Sequence, residues 1–525
     1  LKEGLAILRS YDLNKQTPTQ QLSTKILDYF MDIQARGEKF MYHDYPLNQM
    51  FGLQSEFPNF MTTLHPVNNA LNARNYIKRL NKVGIKFDQT LEGLRIREEK
   101  GVIPPRFVIR RVLDEMTAFI KTPITDNSLY TVYAEKLAKL KLDKTRQQGL
   151  LADTEKSIGT VVYPAYQRLI DYFTTLEPKA TDDDGLWKLP DGDACYAYQL
   201  RSNTTTEFTP QEVHEIGLSE VDRIETEMRG ILKGLGLPTN KIAKTIQELS
   251  KDPRFLYPNT DEGRAEALAE YQRIIDHVNQ NLDNLFDLRP AVGVKVERIP
   301  EFREKTSAGA YYMLPSMDGK RPGVFYANLR DMNEVVKFGM RTLAYHEAIP
   351  GHHFQLSIAQ GLKGLPTFRR ILPFTAYIEG WALYAEKLAR ENGFMEDTYS
   401  ELGYLQSELF RSVRLVVDTG IHFKRWTRQQ AIDYMIEHTG MPDASVVSEI
   451  ERYIVMPGQA CAYKLGEIKI VQLRQKALKT LGDSFNIKKF HNTVLKNGAM
   501  PLYLLEQEID RYIQQELKHG ETGAI

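Results

Sequence analysis

Apolar residues recur along most of the chain with the 3.6-residue period of an amphipathic helix. The period is clearest in six segments, which we predict to be helices: FTPQEVHEIGLSEVDRIETEMRGILKGLGLP, TDEGRAEALAEYQRIIDHVNQNLDNLF, DTYSELGYLQSELFRSVRLVVDTGIHFKRW, TRQQAIDYMIEHTG, GQACAYKLGEIKIVQLRQKALKTLG and LYLLEQEIDRYIQQELKHG. The first segment also carries a capping box, because Thr209 and Glu212 flank Pro210 at the first helical position. The sequence therefore predicts a mainly α-helical protein.

Two segments depart from this helical pattern. Residues 177–206 are rich in turn-forming residues and predict a connector with one or two short strands. Residues 307–329 contain two aromatic, β-prone runs around Asp318-Gly319 and Pro322-Gly323, which predicts a hairpin or strand pair. A small β element is therefore expected just before the segment that holds most of the candidate chemistry.

Composition narrows the class of protein. With 42% hydrophobic and 26% charged residues the chain is typical of a globular protein, and its 525 residues allow two or three domains. We place a soft boundary near residue 300, between a helical lobe at 1–300 and a second lobe at 301–525, with one integrated domain as the alternative. Lys plus Arg and Asp plus Glu both number 68, and this zero formal net charge argues against a nucleic-acid partner.

The start of the chain bears on its location. The sequence begins at Leu1 with neither an initiator methionine nor a signal sequence, so we expect that an upstream segment has been removed. A periplasmic or envelope-associated protein is the preferred interpretation, and a cytoplasmic protein is the alternative. No apolar run approaches the ~20 residues of a membrane span. The two cysteines, Cys195 and Cys461, are too few for a disulfide framework.

Three of the eleven histidines lie within RTLAYHEAIPGHHFQLSIAQG, residues 341–361. In the familiar HExxH pattern two histidines lie one helical turn apart and share a metal ion. Here four residues separate Glu347 from the next histidine, and a regular helix would place His352 on the wrong face. Pro350 and the following glycine cannot continue a regular helix, and a bulge there would return His352 to the face of His346. The segment predicts a metal site that uses His346 and either His352 or His353.

The third ligand is expected on the segment TAYIEGWALYAEKLARENG. Glu379 lies there among apolar neighbours, where a solvated carboxylate would be unusual. Glu386 precedes Lys387, and we interpret it as an ion-paired surface group. Two histidines and a glutamate with water in the fourth place form a catalytic zinc arrangement, in which Glu347 would be the base. A structural metal would instead require a fourth protein ligand, for which His353 is available.

Three segments together resemble a known family: HEAIPGHH (346–353), EGWALYAE (379–386) and RYIVMPGQACAYKLG (452–466). They are similar to the bacterial domain-of-unknown-function family DUF885, whose members are regarded as gluzincin-like metallopeptidases, and the likeness covers roughly residues 160–515. At a distance the chain is also similar to angiotensin-converting enzyme, the thimet-type oligopeptidases and thermostable carboxypeptidases. Those peptidases have a HExGH helix, so the resemblance favours His352 over His353 as the second ligand.

The resemblance also implies roles for residues downstream. A tyrosine in the related peptidases donates a hydrogen bond to the developing oxyanion, and Tyr463 is the candidate here. A tyrosine packed in the core is the alternative. It further implies a mainly α, two-lobed, gluzincin-like fold with a small β-sheet or hairpin beside the active site.

A polar stripe on a predicted helix supplies candidate substrate contacts. Arg411, Arg414, Asp418 and His422 are spaced three or four residues apart and so share one helix face. Either an arginine and Asp418 form an ion pair, or Arg414 holds a substrate carboxylate while His422 lies near the metal. Tyr312, in the strand before the histidines, could bind an extended peptide through its backbone or could pack in the core.

These observations together predict a zinc-dependent hydrolase of peptide bonds in short peptides. Zinc would be held by His346, His352 and Glu379, with Glu347 as the general base. Two alternatives stay open: a zinc amidase that acts on a non-peptide amide, and a helical binding protein whose metal is structural.

Overall fold

The computed structural model describes residues 1–304 and 309–522. The protein is mainly helical, as the periodicity predicted. The α-helices of the first 204 residues are, in chain order, α1 (Lys2–Ser10), α2 (Pro18–Arg36), α3 (Leu53–Asn59), α4 (Ala70–Glu99), α5 (Arg106–Lys121), α6 (Ser128–Ala138), α7 (Lys144–Ser157), α8 (Tyr163–Leu176) and α9 (Gly192–Thr204). No helix among the described residues combines the length and apolar character needed to cross a bilayer.

The rest of the described chain adds further helices and three strands. The helices are α10 (Pro210–Gly234), α11 (Ile242–Leu249), α12 (Asp261–Gln280), α13 (Glu301–Glu304), α14 (Lys337–Glu347), α15 (His352–Gly361), α16 (Thr367–Ile371), α17 (Thr375–Glu391), α18 (Thr398–His422), α19 (Arg428–Thr439), α20 (Asp443–Val455), α21 (Cys461–Leu481), α22 (Ile487–Leu495) and α23 (Leu502–Thr522). The strands are β1 (Val294–Arg298), β2 (Ala310–Met313) and β3 (Gly323–Ala327).

The start of α10 shows how local sequence sets a helix end. The Thr209 hydroxyl accepts a hydrogen bond from the Glu212 N–H, and the Glu212 carboxylate accepts one from the Thr209 N–H. Pro210 occupies the first helical position, where its missing N–H costs no hydrogen bond. The predicted capping box is confirmed.

The segment at 177–206 is not the predicted strand-bearing connector. Its second half forms α9, and no strand is assigned within these residues. Leu200 packs into a buried cluster with Val213, Leu415 and Cys461. The turn-forming composition misled the prediction because this tertiary packing favours the helical conformation.

The chain forms two compact units, one of Leu1–Gly37 with Tyr196–Ile525 and the other of Glu38–Cys195. Neither unit begins or ends near residue 300, where the sequence placed a soft boundary. In the larger unit α10 and α18 pack tightly, since a Cβ on Gly217 would lie 2.8 Å from Leu415 and Val416. Residues from both sides of position 300 therefore share one core.

The smaller unit, Glu38–Cys195, has a core of its own built from α4 to α8. The rings of Tyr76 and Tyr133 stack at its centre, with their centroids 4.5 Å apart. Each phenol donates to a backbone carbonyl, Tyr76 to Leu129 at 2.8 Å and Tyr133 to Ala73 at 3.1 Å. These bonds satisfy the polar ends of two fully buried side chains.

The three strands form one sheet in the order β1-β3-β2, in which β3 pairs parallel with β1 and antiparallel with β2. The predicted strand pair is thus confirmed within the described residues, while residues 307–308 of the predicted segment lie outside them. The Asn328 N–H donates to the Gly309 carbonyl at 2.9 Å. By the alternation of an antiparallel ladder, the backbone groups of Ala310 and Tyr312 point away from β3, toward the outer edge of the sheet.

Candidate metal centre

The histidine-rich segment is a break between two helices rather than a bulge within one. Helix α14 ends at Glu347 and α15 begins at His352, with a cis Ile349–Pro350 peptide bond between them. The Trp381 indole N–H on α17 donates to the Pro350 carbonyl at 2.9 Å and anchors the break. Because the helix stops and restarts, His352 returns toward His346, and the centroids of their two rings lie 4.7 Å apart.

Only a glycine fits at position 351, because backbone atoms of α14 occupy the place of a side chain. A Cβ on Gly351 would lie 2.0 Å from the His346 carbonyl oxygen and 2.3 Å from that of Tyr345. Gly361, at the end of α15, has no atom within 4 Å of the corresponding position. The turn that carries His352 thus lies directly against the end of α14.

We expect Gly351→Ala to destabilise the protein by about 2 kcal/mol or more, because backbone would have to move to admit the methyl group. Gly361→Ala is the matched control and should change stability by less than about 1 kcal/mol. Urea denaturation monitored by circular dichroism gives the free energy of unfolding of both variants and of the unmodified protein. Equal stability of the two variants would contradict the close packing of the break.

His346, His352 and Glu379 are brought together in the structure. One ligand atom from each lies within 4.8 Å of the other two. The Glu379 Oε2 atom is 3.6 Å from His346 Nε2 and 3.3 Å from His352 Nε2. These atoms come from α14, α15 and α17, so the break and the α17 helix together build the cluster.

Glu386 is not the surface ion pair that its position before Lys387 suggested. It is 1% exposed, and its Oε1 atom lies 2.7 Å from His346 Nδ1. Its Oε2 atom accepts a hydrogen bond from Ser407 at 3.1 Å, while Arg411 Nη2 lies 3.8 Å from Oε1. Glu386 therefore orients the His346 ring so that Nε2 points at Glu379. The i+7 spacing from Glu379 was the sequence signal, because it places both carboxylates on one helix face.

The electrostatics of the cluster favour positive charge. Burial alone would lower the pKa of His346, yet the carboxylates of Glu379 and Glu386 raise it to about 9. Burial alone would raise the pKa of Glu379, but the rings of His352 and His346 hold it well below its usual range. A proton or a metal cation between these groups is stabilised by the same carboxylates.

The donor set fits a divalent metal ion such as zinc. Two ligands about 2.0–2.1 Å from a tetrahedral ion are separated by about 3.3 Å, close to the two distances from Glu379. The buried Glu379 Oε2 atom has no hydrogen-bond donor among the described residues. Since His346 Nδ1 is engaged by Glu386, its Nε2 atom can offer a lone pair. These residues could hold a metal.

Glu347 and Tyr463 lie next to this cluster. Glu347, the last residue of α14, is 8% exposed and has no hydrogen bond or ion pair within the described chain. Tyr463 lies half-buried on α21. Burial is the main cause of the raised pKa of its phenol, and the negative charge of Glu379 is the next. Helices α17 and α21 approach closely enough for this because Gly380 faces Gly466, where a Cβ would lie 2.4 Å from the other backbone.

His353 lies apart from the histidine and glutamate cluster. It is fully buried, and its Nδ1 atom lies 2.9 Å from the Tyr312 hydroxyl on β2. Burial lowers the pKa of His353 to about 4, so its ring is neutral. Among the described residues the metal-competent group contains His352 and not His353.

The arginine–aspartate pair, one of the two alternatives for the stripe on α18, is not formed within the described residues. Arg414 pairs with Glu449 on α20, with Nη2 and Oε2 3.1 Å apart. Asp418 accepts hydrogen bonds from Tyr196 and from the Gly458 N–H instead.

His422 lies in the core rather than at a surface. It is fully buried, its Nε2 atom is 3.0 Å from the Tyr453 carbonyl, and its ring stacks on Tyr196 with a centroid distance of 5.0 Å. Burial lowers its pKa to about 4. Its contacts join α18 to the end of α20, so the expectation that it touches substrate gains no support from its position.

Comparison with known proteins places the chain in a family. The model of DUF885, described as a bacterial protein of unknown function, matches residues 1–509. A solved structure from Colwellia psychrerythraea, described as a "putative lipoprotein", is 34% identical and covers 97% of this chain and 89% of its own, with a TM-score of 0.92. A second from Shewanella oneidensis, described in the same words and as of unknown function, shares the fold at 18% identity, with coverages of 96% and 90% and a TM-score of 0.74. No curated protein matches the chain. The family model covers nearly the whole sequence, and the chain therefore belongs to the DUF885 family.

Proposed function

We propose that this protein is a zinc-dependent hydrolase of peptide bonds, with a two-lobed, gluzincin-like organisation. The observation that carries the proposal is the buried cluster of His346, His352 and Glu379, whose ligand atoms lie within 4.8 Å of one another. Two imidazoles and one carboxylate are the protein ligands of many catalytic zinc sites, which leave a coordination position for water or substrate. The family assignment does not state an activity, so the proposal rests on this chemistry.

The reaction needs a base and an oxyanion donor beside the metal. When bound, zinc would polarise the substrate carbonyl and lower the pKa of a water molecule to about 7. Glu347, whose carboxylate has no partner within the described chain, accepts the proton of the attacking water and transfers it to the leaving amine. Tyr463 donates a hydrogen bond to the carbonyl oxygen as negative charge develops on it.

The outer edge of the sheet supports an extended peptide as substrate. The backbone groups of Ala310 and Tyr312 point to this edge, and no further strand pairs with β2 in the described part of the chain. The Tyr312 hydroxyl lies 2.9 Å from Nδ1 of His353, so β2 packs against α15, the helix that also carries His352. A peptide bound there as an added strand would be held by main-chain hydrogen bonds independent of its sequence.

A closed structural metal site is less well supported than a catalytic one. It would need a fourth protein ligand, and His353, the residue expected to supply it, bonds to Tyr312 instead. Among the described residues only three ligands come together, and a tetrahedral ion held by them would keep its fourth position for water or substrate.

The test measures metal and activity on the same sample. We expect about one equivalent of zinc per chain by plasma mass spectrometry, and zinc-dependent cleavage of a mixed library of short peptides. Removal of zinc with a chelator should abolish cleavage, and its return should restore it. Full cleavage after removal of the metal would contradict the proposal, whereas cleavage of non-peptide amides alone would favour the amidase alternative.

We also propose that the protein is associated with the cell envelope. The solved structure from Colwellia psychrerythraea, which is 34% identical to this chain, is described as a "putative lipoprotein", and lipoproteins are anchored to membranes by attached lipid. Fractionation of cells that express the full-length gene product tests this, with the membrane and periplasmic fractions as the expected locations.

Glu386→Gln is expected to weaken zinc binding by about 10- to 100-fold without unfolding the protein, because the amide orients His346 less firmly than a carboxylate does. Glu391→Gln, on the same helix and paired with Arg474, is the matched control and should bind zinc as tightly as the unmodified protein. Competition with a zinc chelator measures both affinities. An unchanged affinity in Glu386→Gln would show that the contact with His346 does not tune the metal.

A further inference from the structure

Arg414 is a buried cation with an unused hydrogen-bonding edge. Its side chain is 7% exposed. Its Nε atom donates to the Tyr453 hydroxyl at 2.9 Å, and its Nη2 atom lies 3.1 Å from Glu449 Oε2. Its Nη1 atom is buried and has no acceptor among the described residues. A buried donor without an acceptor is rare in proteins, and at a binding site it indicates a place for a ligand atom.

The charges around Arg414 do not balance. Arg452 also pairs with Glu449 Oε2, at 3.0 Å, so two guanidinium groups share one carboxylate. Asp418, one helical turn after Arg414, is engaged by Tyr196 and the Gly458 N–H. The cluster of Arg414, Arg452 and Glu449 thus carries one excess positive charge in a largely buried place, which an anionic ligand would offset.

The surroundings of Arg414 leave a planar edge for that ligand. The guanidinium carbon lies 4.2 Å from the ring centroid of Phe410 and 4.6 Å from that of Tyr463. Aromatic rings cover a guanidinium group without using its N–H donors, so Nη1 remains available to a carboxylate in the plane while Nε and Nη2 bond to Tyr453 and Glu449.

The same tyrosine connects this cluster to the candidate metal centre. Tyr463 contacts Arg414 through its ring, and it lies on α21 three residues before Gly466, whose backbone faces that of Gly380, the residue after Glu379. An anion bound at Arg414 would therefore lie beside Tyr463, at the point where α21 packs against the helix that carries Glu379. A peptide that spans both places would present its carboxyl terminus to Arg414 and a nearby peptide bond to the centre.

We propose that Arg414, supported by Arg452 and Glu449, binds the free C-terminal carboxylate of the substrate and makes the protein a carboxypeptidase. The inference rests on the proposed peptide-hydrolase function. It excludes Arg411 from this role, because Arg411 is directed to Ser407 and Glu386, with Nη1 3.2 Å from the Ser407 carbonyl. The single excess positive charge of the cluster is matched by one carboxylate of the substrate. Binding therefore requires the free α-carboxylate of the last residue but not an acidic side chain on that residue.

The test uses binding as well as turnover. The probes are a library of N-terminally fluorescein-labelled tetrapeptides with free carboxyl termini and the same library as C-terminal amides. The zinc-loaded Glu347→Gln protein should bind the free acids about 10- to 100-fold more tightly than the amides, as measured by fluorescence anisotropy, since a charge-assisted hydrogen-bond pair is lost with the amides. Equal affinities, or no measurable binding of either library, would overturn the inference.

Variants in the same background assign the preference to the cluster. Arg414→Gln should bind acids and amides about equally. Glu449→Gln keeps an acceptor for both arginines but removes the competing charge, so it should bind free acids at least as tightly as the parent. If the cluster is only structural, both variants should instead lose affinity for acids and amides alike. Arg428→Gln is the matched control, because Arg428 pairs with Glu451 on the same helix as Glu449 and should leave the preference unchanged.

The outcomes separate this inference from the proposed function. If the Glu347→Gln protein prefers free acids but the unmodified protein cleaves no peptide, the carboxylate site stands and the hydrolase proposal fails. If the unmodified protein cleaves acids and amides at equal rates, the hydrolase proposal stands and the assignment of Arg414 fails.

Discussion

Replacing Glu347 with glutamine is expected to leave zinc bound and the fold intact while peptide turnover falls by roughly 10²–10⁴. Glu347 directly follows His346 on α14, so its side chain leaves the helix about 100° further around the axis. It can therefore approach the reacting water without binding the metal. Glutamine keeps the size of the side chain but cannot accept a proton. Metal content, circular dichroism and single-turnover rates on the peptide library measure the three expectations.

Glu334→Gln is the matched control for Glu347→Gln. Glu334 lies just before α14, half-exposed at 48% of its side chain, and its weak pairing with Arg330 spans 3.8 Å. This control should retain full turnover. If Glu347→Gln loses its metal, Glu347 is a ligand and the proposed roles are wrong. If Glu347→Gln keeps both its metal and full turnover, the base lies elsewhere.

The helices could be predicted because their signals are local. The predicted segments that begin near Thr209, Thr260 and Asp397 all form helices, and in each the side chain of that residue accepts a hydrogen bond from a backbone N–H of the first turn. The apolar period and the capping residue of a helix involve residues that are close together in the chain, so both can be recognised from a single sequence. Helix α9 shows the limit, since its conformation depends on the distant cluster that includes Leu415.

The sheet and the division of the chain depend on distant contacts as well. Strand β1 pairs with β3, and the paired residues Val294 and Gly323 are 29 positions apart in the chain. The length and composition of the β1 segment did not predict a strand. The packing of α10 against α18 joins residues that are far apart in sequence, and neither compact unit begins or ends near residue 300.

The sequence predicted which residues form the candidate centre, but not the contacts that hold those residues in position. Helical geometry showed that a regular helix cannot bring His346 and His352 together, and Pro350 indicated where it is interrupted. The interruption is a full break, because Gly351 lies against the end of α14 and Trp381 holds the Pro350 carbonyl. Glu386 shares its helix with many apolar residues but is followed by Lys387, so the sequence alone does not show whether its carboxylate is buried. Its burial depends on the packing of α17 against α18, from which Ser407 donates a hydrogen bond to it.

His352→Ala should lose about one equivalent of zinc and all zinc-dependent turnover, whereas His353→Ala should keep its zinc. The reason is the break between α14 and α15, which turns His352 Nε2 to within 3.3 Å of Glu379 and leaves His353 bonded to Tyr312. Loss of one of three ligands leaves too few protein donors to hold the ion against dialysis. Plasma mass spectrometry after dialysis against a chelator measures the bound zinc.

The two variants also differ in what else they change. His353→Ala removes a fully buried ring and its hydrogen bond with Tyr312, so we expect a loss of stability of about 1–3 kcal/mol with zinc retained. His352→Ala removes a side chain whose Nδ1 atom has no partner in the described chain, so the metal-free protein should be destabilised less. Thermal denaturation of both variants without metal separates the effect on folding from the effect on binding. A metal-free His353→Ala beside a zinc-loaded His352→Ala would assign the second ligand to His353 and contradict the geometry of the break.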